Sequence, residues 1–202
     1  ATVEAVVLFV ALSLIAIALV LTLNPLTQML AIVGAALTII YPFMKRLVAA
    51  PQLVLGAAFG WGVPMAFAAE TGEVPRLAWL IFVAAVVWAV VYDTMYAMAD
   101  REDDLKIGVK STAILFGTAD VFIVMMLQIV MLLALLLIGA TAKLGIWYAG
   151  GVVIAAIFMF YQFMLIRERE PSRCFQAFLN NRYVGAAVFI GIVLDYTFRP
   201  IA

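Results

Sequence analysis

An all-α, polytopic transmembrane helix bundle is the fold class this sequence predicts, on the strength of its composition, the spacing of its apolar runs and the placing of its basic residues. Of its 202 residues 68% are hydrophobic and 12% charged, with a mean hydropathy of +1.19. That leaves too little polar surface to coat a soluble globule. Runs long enough to cross ~30 Å of hydrocarbon, about 20 residues each, fall at roughly 3–23, 26–43, 49–69, 77–99, 119–140, 145–166 and 183–198.

Each run is bounded by ordinary helix punctuation. The first ends at Asn24-Pro25, and the second is expected to end at Tyr41-Pro42. The third opens after Ala50-Pro51 and closes at Thr71-Gly72, with Pro75 ahead of the fourth. The fourth runs into an acidic cluster, and Gly117 to Asp120 leads into the fifth. Gly139 to Lys143 separates the fifth from the sixth, and the polar stretch Arg167 to Arg182 is expected to connect the sixth to the seventh. No repeat, low-complexity tract or soluble domain interrupts residues 1–202, which read as a single transmembrane domain.

Composition also excludes. A net charge of zero gives no footprint for nucleic acid. Histidine is absent, which removes the commonest general base and transition-metal ligand. Cys174 stands alone and forms no internal disulfide. The chain opens on Ala1 and enters an apolar run within a few residues, so an N-terminal part is expected to precede it.

Alternating the connections puts Lys45, Arg46, Arg101, Lys106, Lys110, Arg167, Arg169, Arg173 and Arg182 on one side and Arg76, Lys143 and Arg199 on the other. Basic residues are retained in the cytoplasm, so the first side is expected to face it. There the fourth run ends in Asp93, Asp100, Glu102, Asp103 and Asp104. Carboxylates are costly near a bilayer and are seldom kept there without a partner.

At about 100° per residue, Asp93, Asp100 and Asp104 share one helical face with Tyr96, while Glu102 and Asp103 point away. Carboxylates without thiol or imidazole suit Mg²⁺, which usually takes one or two of them together with water and substrate phosphate. A phosphorylated ligand is therefore expected. Lys110, in Gly108-Val109-Lys110-Ser111-Thr112-Ala113, offers an anion contact, and Tyr41 and Lys45 meet if a helix resumes after Pro42. Cations facing carboxylates suit a metal diphosphate, and a lipid-facing mouth admits its hydrocarbon tail. On spacing alone, the cluster reads equally well as a solvated helix end balanced by Arg101, Lys106 and Lys110, and Lys45 and Arg46 as topology anchors. Arg167, Arg169 and Arg173, interleaved with Glu168 and Glu170, read as interfacial anchors and local pairs, and Asp195 as the partner of Arg199.

The segment Tyr92-Asp93-Thr94-Met95-Tyr96-Ala97-Met98-Ala99-Asp100-Arg101-Glu102-Asp103-Asp104, followed by Gly108 to Ala113, resembles the second aspartate-rich motif of the UbiA prenyltransferases. The likeness extends over essentially the whole chain, through Tyr41-Pro42-Phe43-Met44-Lys45-Arg46, Leu55 to Trp61 and Asn180-Asn181-Arg182-Tyr183-Val184-Gly185. Within the family it is strongest to members acting on 4-hydroxybenzoate. The resemblance implies nine transmembrane helices around a cavity in which two aspartate-rich motifs bind Mg²⁺ ions that hold a polyprenyl diphosphate. It assigns Asp100 and Asp104 to metal, Tyr41 and Lys45 to diphosphate, Arg46 to diphosphate or the aromatic carboxylate, and Lys110 to phosphate. Asp93, or diphosphate itself, would accept the proton lost from the ring.

The family's first motif, of the form Asn-Asp-x-x-Asp-x-x-x-Asp, is missing, since the only asparagines are Asn24, Asn180 and Asn181. The expectation is a C-terminal fragment, inactive alone, of a bacterial inner-membrane enzyme of ubiquinone synthesis, with its site on the cytoplasmic side. Naphthoate, homogentisate or a haem precursor are alternative acceptors. A transporter using the Asp cluster as an ion site competes, although its charges should lie near the midplane of an inverted repeat. A phospholipid-synthesising phosphotransferase would carry an Asp-Gly-x-x-Ala-Arg pattern that is absent.

Overall fold

The computed structural model describes residues 2–198, and all regular structure among them is helical. Seven segments are long and apolar enough to cross a membrane, so the chain is a multi-pass membrane protein. The first, α1 (Thr2–Leu21), buries none of its residues. Before α2 (Pro25–Leu47), the Asn24 side chain accepts from the Thr27 backbone N–H at 3.0 Å and donates to the Ala68 carbonyl at 2.6 Å. One side chain thus starts a helix and ties it to another span. Contrary to expectation, α2 continues through Pro42 to Leu47. A proline removes one backbone donor, and membrane helices accommodate that loss.

The third span is two helices, α3 (Pro51–Gly60) and α4 (Gly62–Thr71), broken at Trp61. Pro64 has no N–H to offer the Gly60 carbonyl, and the Trp61 indole N–H docks the bend on α2 through the Leu30 carbonyl at 2.8 Å. Next comes α5 (Arg76–Ala99), then the short α6 (Arg101–Ile107), which Gly108 ends at φ 68°, a left-handed conformation that glycine adopts without strain. The fifth span begins at Thr112, earlier than expected. It comprises α7 (Thr112–Phe116), one 3₁₀ turn over 117–119, and α8 (Asp120–Thr141). Two long helices, α9 (Ile146–Ile166) and α10 (Pro171–Phe198), complete the bundle.

The polar stretch after Arg167 is the largest departure from the sequence reading, because α10 starts at Pro171 and absorbs most of it. Its inward stripe carries Cys174, Ala177, Asn181 and Val184, all buried. The polar members of that face are satisfied internally. Gln128 Nε2 donates to Gln162 Oε1 at 2.9 Å, and Gln162 Nε2 donates to Asn180 Oδ1 at 3.1 Å. Trp88 Nε1 donates to Asn181 Oδ1 at 3.0 Å. A buried chain of amides therefore joins α8, α9 and α10.

Lipid offers no hydrophobic drive between helices, so close backbone approach matters. A Cβ on Gly151 would stand 2.6 Å from the Ala187 carbonyl oxygen, which fixes how near α9 and α10 lie. A Cβ on Gly56 would stand 2.9 Å from the Val86 carbonyl oxygen, so α3 is seated on α5. Asp195 is buried and accepts from the Gly145 N–H at 2.8 Å, which caps the start of α9. Its expected partner Arg199 lies outside the described residues. Arg167 and Arg173 pair locally with Glu168, as expected, but Arg169 reaches Asp120 at 2.9 Å.

Candidate active site

Five segments meet on the basic side of the bundle around a recess of about 250 Å³. From α2 come Tyr41 and Lys45, one turn apart on a helix that did not stop at Pro42. The first turn of α3 supplies Gln52, the last turns of α5 supply Asp93 and Tyr96, and Asp100 follows directly at the junction with α6. Asp104 of α6 and Lys110 and Ser111 of the following loop close it. Every candidate residue expected from the sequence lines this recess except Arg46, which is exposed and not among the lining residues. Glu102 and Asp103 are exposed, and Asp103 pairs with Lys106 at 2.9 Å, as the helical wheel implied.

The three aspartates do not converge by the expected route. Regular helix ends at Ala99, and Asp100 sits between α5 and α6 with φ −93° and ψ 2°. Its carbonyl then accepts from the N–H of Asp103 at 3.0 Å and of Asp104 at 2.9 Å. The chain turns at Asp100 and brings Asp104 back to the same recess.

Lys110 is partly committed. Its backbone N–H donates to the Lys45 carbonyl at 2.8 Å, and its ammonium donates to the Leu47 carbonyl at 3.1 Å. It satisfies the free carbonyls at the end of α2, and an anion would have to draw it away. Gln52, which the motif reading passed over, accepts from the Thr112 N–H at 3.1 Å, and its side chain meets the Asp93 carboxylate. The available signal was a lone amide opening an otherwise apolar span. Tyr96 lies within hydrogen-bonding reach of Asp100, and its ring packs on Phe178 at 5.0 Å between centroids.

Burial pushes the Asp104 carboxyl up from its ordinary value and Asp100 adds to this, while Lys45 and Ser111 pull it back. A carboxyl raised in the folded state holds its proton more tightly there than in the unfolded chain. Stability is therefore lost as pH climbs from the ordinary value of 3.8 through the raised one. Asp104→Asn is accordingly expected to raise the thermal midpoint slightly at pH 7 in metal-free detergent, with the gain shrinking as pH falls. A pH-independent difference in midpoint would contradict it.

Among the described residues, no three Asp, Glu or Cys side chains are disposed to hold a metal ion unaided. Asp100 and Asp104 on a shared recess with a facing ammonium are still the donor set Mg²⁺ accepts when water and phosphate complete its shell. The residues fit the ion. A separate cavity of about 550 Å³ between α1, α2 and the α3–α4 bend is lined without any ionisable side chain.

The UbiA prenyltransferase family matches residues 1–190. The 4-hydroxybenzoate octaprenyltransferase of Hahella chejuensis is 57% identical over 98% of this chain and 66% of its own length. That of Nitrosococcus oceani is 58% identical over 96% and 68%. This chain thus spans about two thirds of the length of such relatives. Among solved structures, a UbiA homolog from Aeropyrum pernix K1 superposes with a TM-score of 0.82 at 25% identity, over 96% of this chain and 72% of that one. A digeranylgeranylglyceryl phosphate synthase shares the fold at a TM-score of 0.71 and 18% identity, over 88% and 64%. By the breadth of that match, and by the seven membrane-spanning helices, the chain belongs to the UbiA prenyltransferase family.

Proposed function

We propose that this chain forms part of an enzyme that transfers a polyprenyl group from polyprenyl diphosphate to the ring of 4-hydroxybenzoate, at the cytoplasmic face of a bacterial inner membrane. The observation that carries the reading is the meeting of Asp93, Asp100 and Asp104 with Lys45 and Tyr41 in one recess at the end of apolar spans. The relatives named as 4-hydroxybenzoate octaprenyltransferases support the choice of acceptor.

Asp100 and Asp104 would hold Mg²⁺, which supplies neutralising positive charge to the departing diphosphate. Lys45 and the Tyr41 hydroxyl bind diphosphate oxygens from the α2 side, and Lys110 joins them on leaving the Leu47 carbonyl. Developing negative charge on the leaving group is stabilised by donors already in place. The allylic C–O bond breaks with its electron pair on diphosphate, and the carbocation alkylates the electron-rich ring. Asp93, held by Gln52, accepts the ring proton. Tyr96 orients Asp100, and Arg46, outside the recess lining, is the remaining candidate for the acceptor's carboxylate. No nucleophilic residue takes part, which accords with the absence of His.

In a protein of full family length, prenylation of 4-hydroxybenzoate is expected to require Mg²⁺ and to stop on chelation, and full rate under exhaustive chelation would overturn the proposal. Asp93→Asn is expected to keep prenyl diphosphate affinity within a few-fold and lower turnover by about 10²–10⁴-fold. Unchanged turnover would remove Asp93 from that role.

A further inference from the structure

Asp120, the first residue of α8, is completely buried and lies outside the recess. A carboxylate in that position must be paired. Arg101 Nη2 meets its Oδ2, Arg169 Nε donates to its Oδ1 at 2.9 Å, and the Val121 N–H donates at 2.6 Å. The same two guanidinium groups also bind backbone carbonyls, Arg101 that of Ala113 at 2.9 Å and Arg169 that of Thr118 at 2.7 Å. The start of α6, the turn between α7 and α8, and the end of α9 are thereby joined at one buried charge.

What this junction holds is α6, and α6 buries none of its residues. Apolar packing therefore does not fix its place. Its polar anchors include the bonds to the Asp100 carbonyl at one end, the Arg101 side chain, the Asp104 carboxylate on the Ser111 side chain, and at the other end the Lys110 N–H on the Lys45 carbonyl. Arg101 directly follows Asp100, and Asp104 hangs on that same turn through its own N–H. A rotation of α6 about its anchors would carry Asp104 with it and change its placing relative to Asp100 at the hinge.

We propose that Asp120 is a positioning residue, which fixes through Arg101 the short helix that follows Asp100 and carries Asp104, and so sets how firmly the recess grips a metal diphosphate. The inference rests on the reading of the recess given above. Partners of this kind, which orient a ligand without touching the metal, typically change metal affinity by about 10- to 100-fold when removed.

The test is equilibrium dialysis of inorganic diphosphate against the detergent-solubilised chain in excess Mn²⁺, with the Mn²⁺ electron paramagnetic resonance spectrum and thermal midpoint recorded for each variant. Asp120→Asn and Arg101→Gln are expected each to weaken binding by about 10- to 100-fold. The double variant should be no weaker than Arg101→Gln alone, as members of one coupled unit behave. Asp195→Asn removes a buried carboxylate at the other end of α9, and is expected to lower the midpoint while binding as the wild type does. If Asp120→Asn proves unfolded, Arg101→Gln carries the comparison. Equal affinity in wild type, Arg101→Gln and Asp195→Asn overturns the positioning role and leaves the recess reading standing. Absence of Mn²⁺-dependent binding in the folded wild type overturns both.

Discussion

Replacing Asp100 or Asp104 by alanine is expected to abolish Mg²⁺-dependent binding of polyprenyl diphosphate and, in a protein of full family length, to lower turnover by about 10²–10³-fold or more. Mg²⁺ held by one or two carboxylates takes the rest of its shell from water and phosphate, and the described residues offer no three-carboxylate cage to compensate for a lost ligand. Each aspartate also shares the recess with Lys45. Removing one leaves the ammonium in place but would take away a ligand of the ion proposed to neutralise the diphosphate. Asp103→Ala is the matched comparison. That carboxylate is exposed and paired, among the described residues, with Lys106 one turn on, so its loss should change both affinity and turnover by less than about twofold, in keeping with the small worth of surface pairs. Isothermal titration in detergent and a radiolabelled transfer assay decide the matter. Near-wild-type values for Asp100→Ala or Asp104→Ala would remove the metal role from that residue.

Gly56→Val and Gly151→Val should lower stability alike and separate in binding. In both, the new Cβ meets a carbonyl oxygen of a neighbouring helix, 2.9 Å away at Gly56 and 2.6 Å at Gly151. Backbone cannot swing aside as a side chain can, so the helices must part, with an overpacking penalty of about 1–3 kcal/mol. For a chain of this size that is a fall in midpoint of very roughly 2–12 °C. The consequences then diverge. Gly56 lies one turn from Gln52 on α3, and parting α3 from α5 draws Gln52 away from Asp93. Gly151 sits on α9 against α10, remote from the recess lining. Diphosphate affinity should therefore drop in the first variant and hold in the second. Equal affinity in the two would show that α3 does not shape the recess.

The spans were legible because hydropathy over about 20 residues is set by the bilayer, and all seven were found. Their ends were less so. Arg167 to Arg182 reads as a connection because polar residues dominate it, yet Asn180 and Asn181 spend their polarity on Gln162 and Trp88 inside the bundle. Pro42 reads as a stop, but a membrane helix tolerates the missing donor. Asp100 and Asp104 were legible from turn spacing, although their convergence depends on a break at Asp100 that the regular wheel did not contain. Asp120 was passed over as part of a turn because its partners stand 19 and 49 residues away. Local spacing carries no record of such pairs.

The buried amides of Gln128, Gln162 and Asn180 decide more than local satisfaction. Greasy helix surfaces slide past each other with little preference for one height over another, and a slip of one turn is about 5.4 Å. Such a slip would carry these groups out of each other's reach and strand them in hydrocarbon, where nothing else answers them. Gln128 lies two turns below Asp120 on α8, and Gln162 lies one turn below the end of α9, just beyond which Arg169 follows. The vertical alignment that lets Arg169 find Asp120 is therefore keyed from deeper in the bilayer, as a pin in a lock holds the barrel at the single height where it turns.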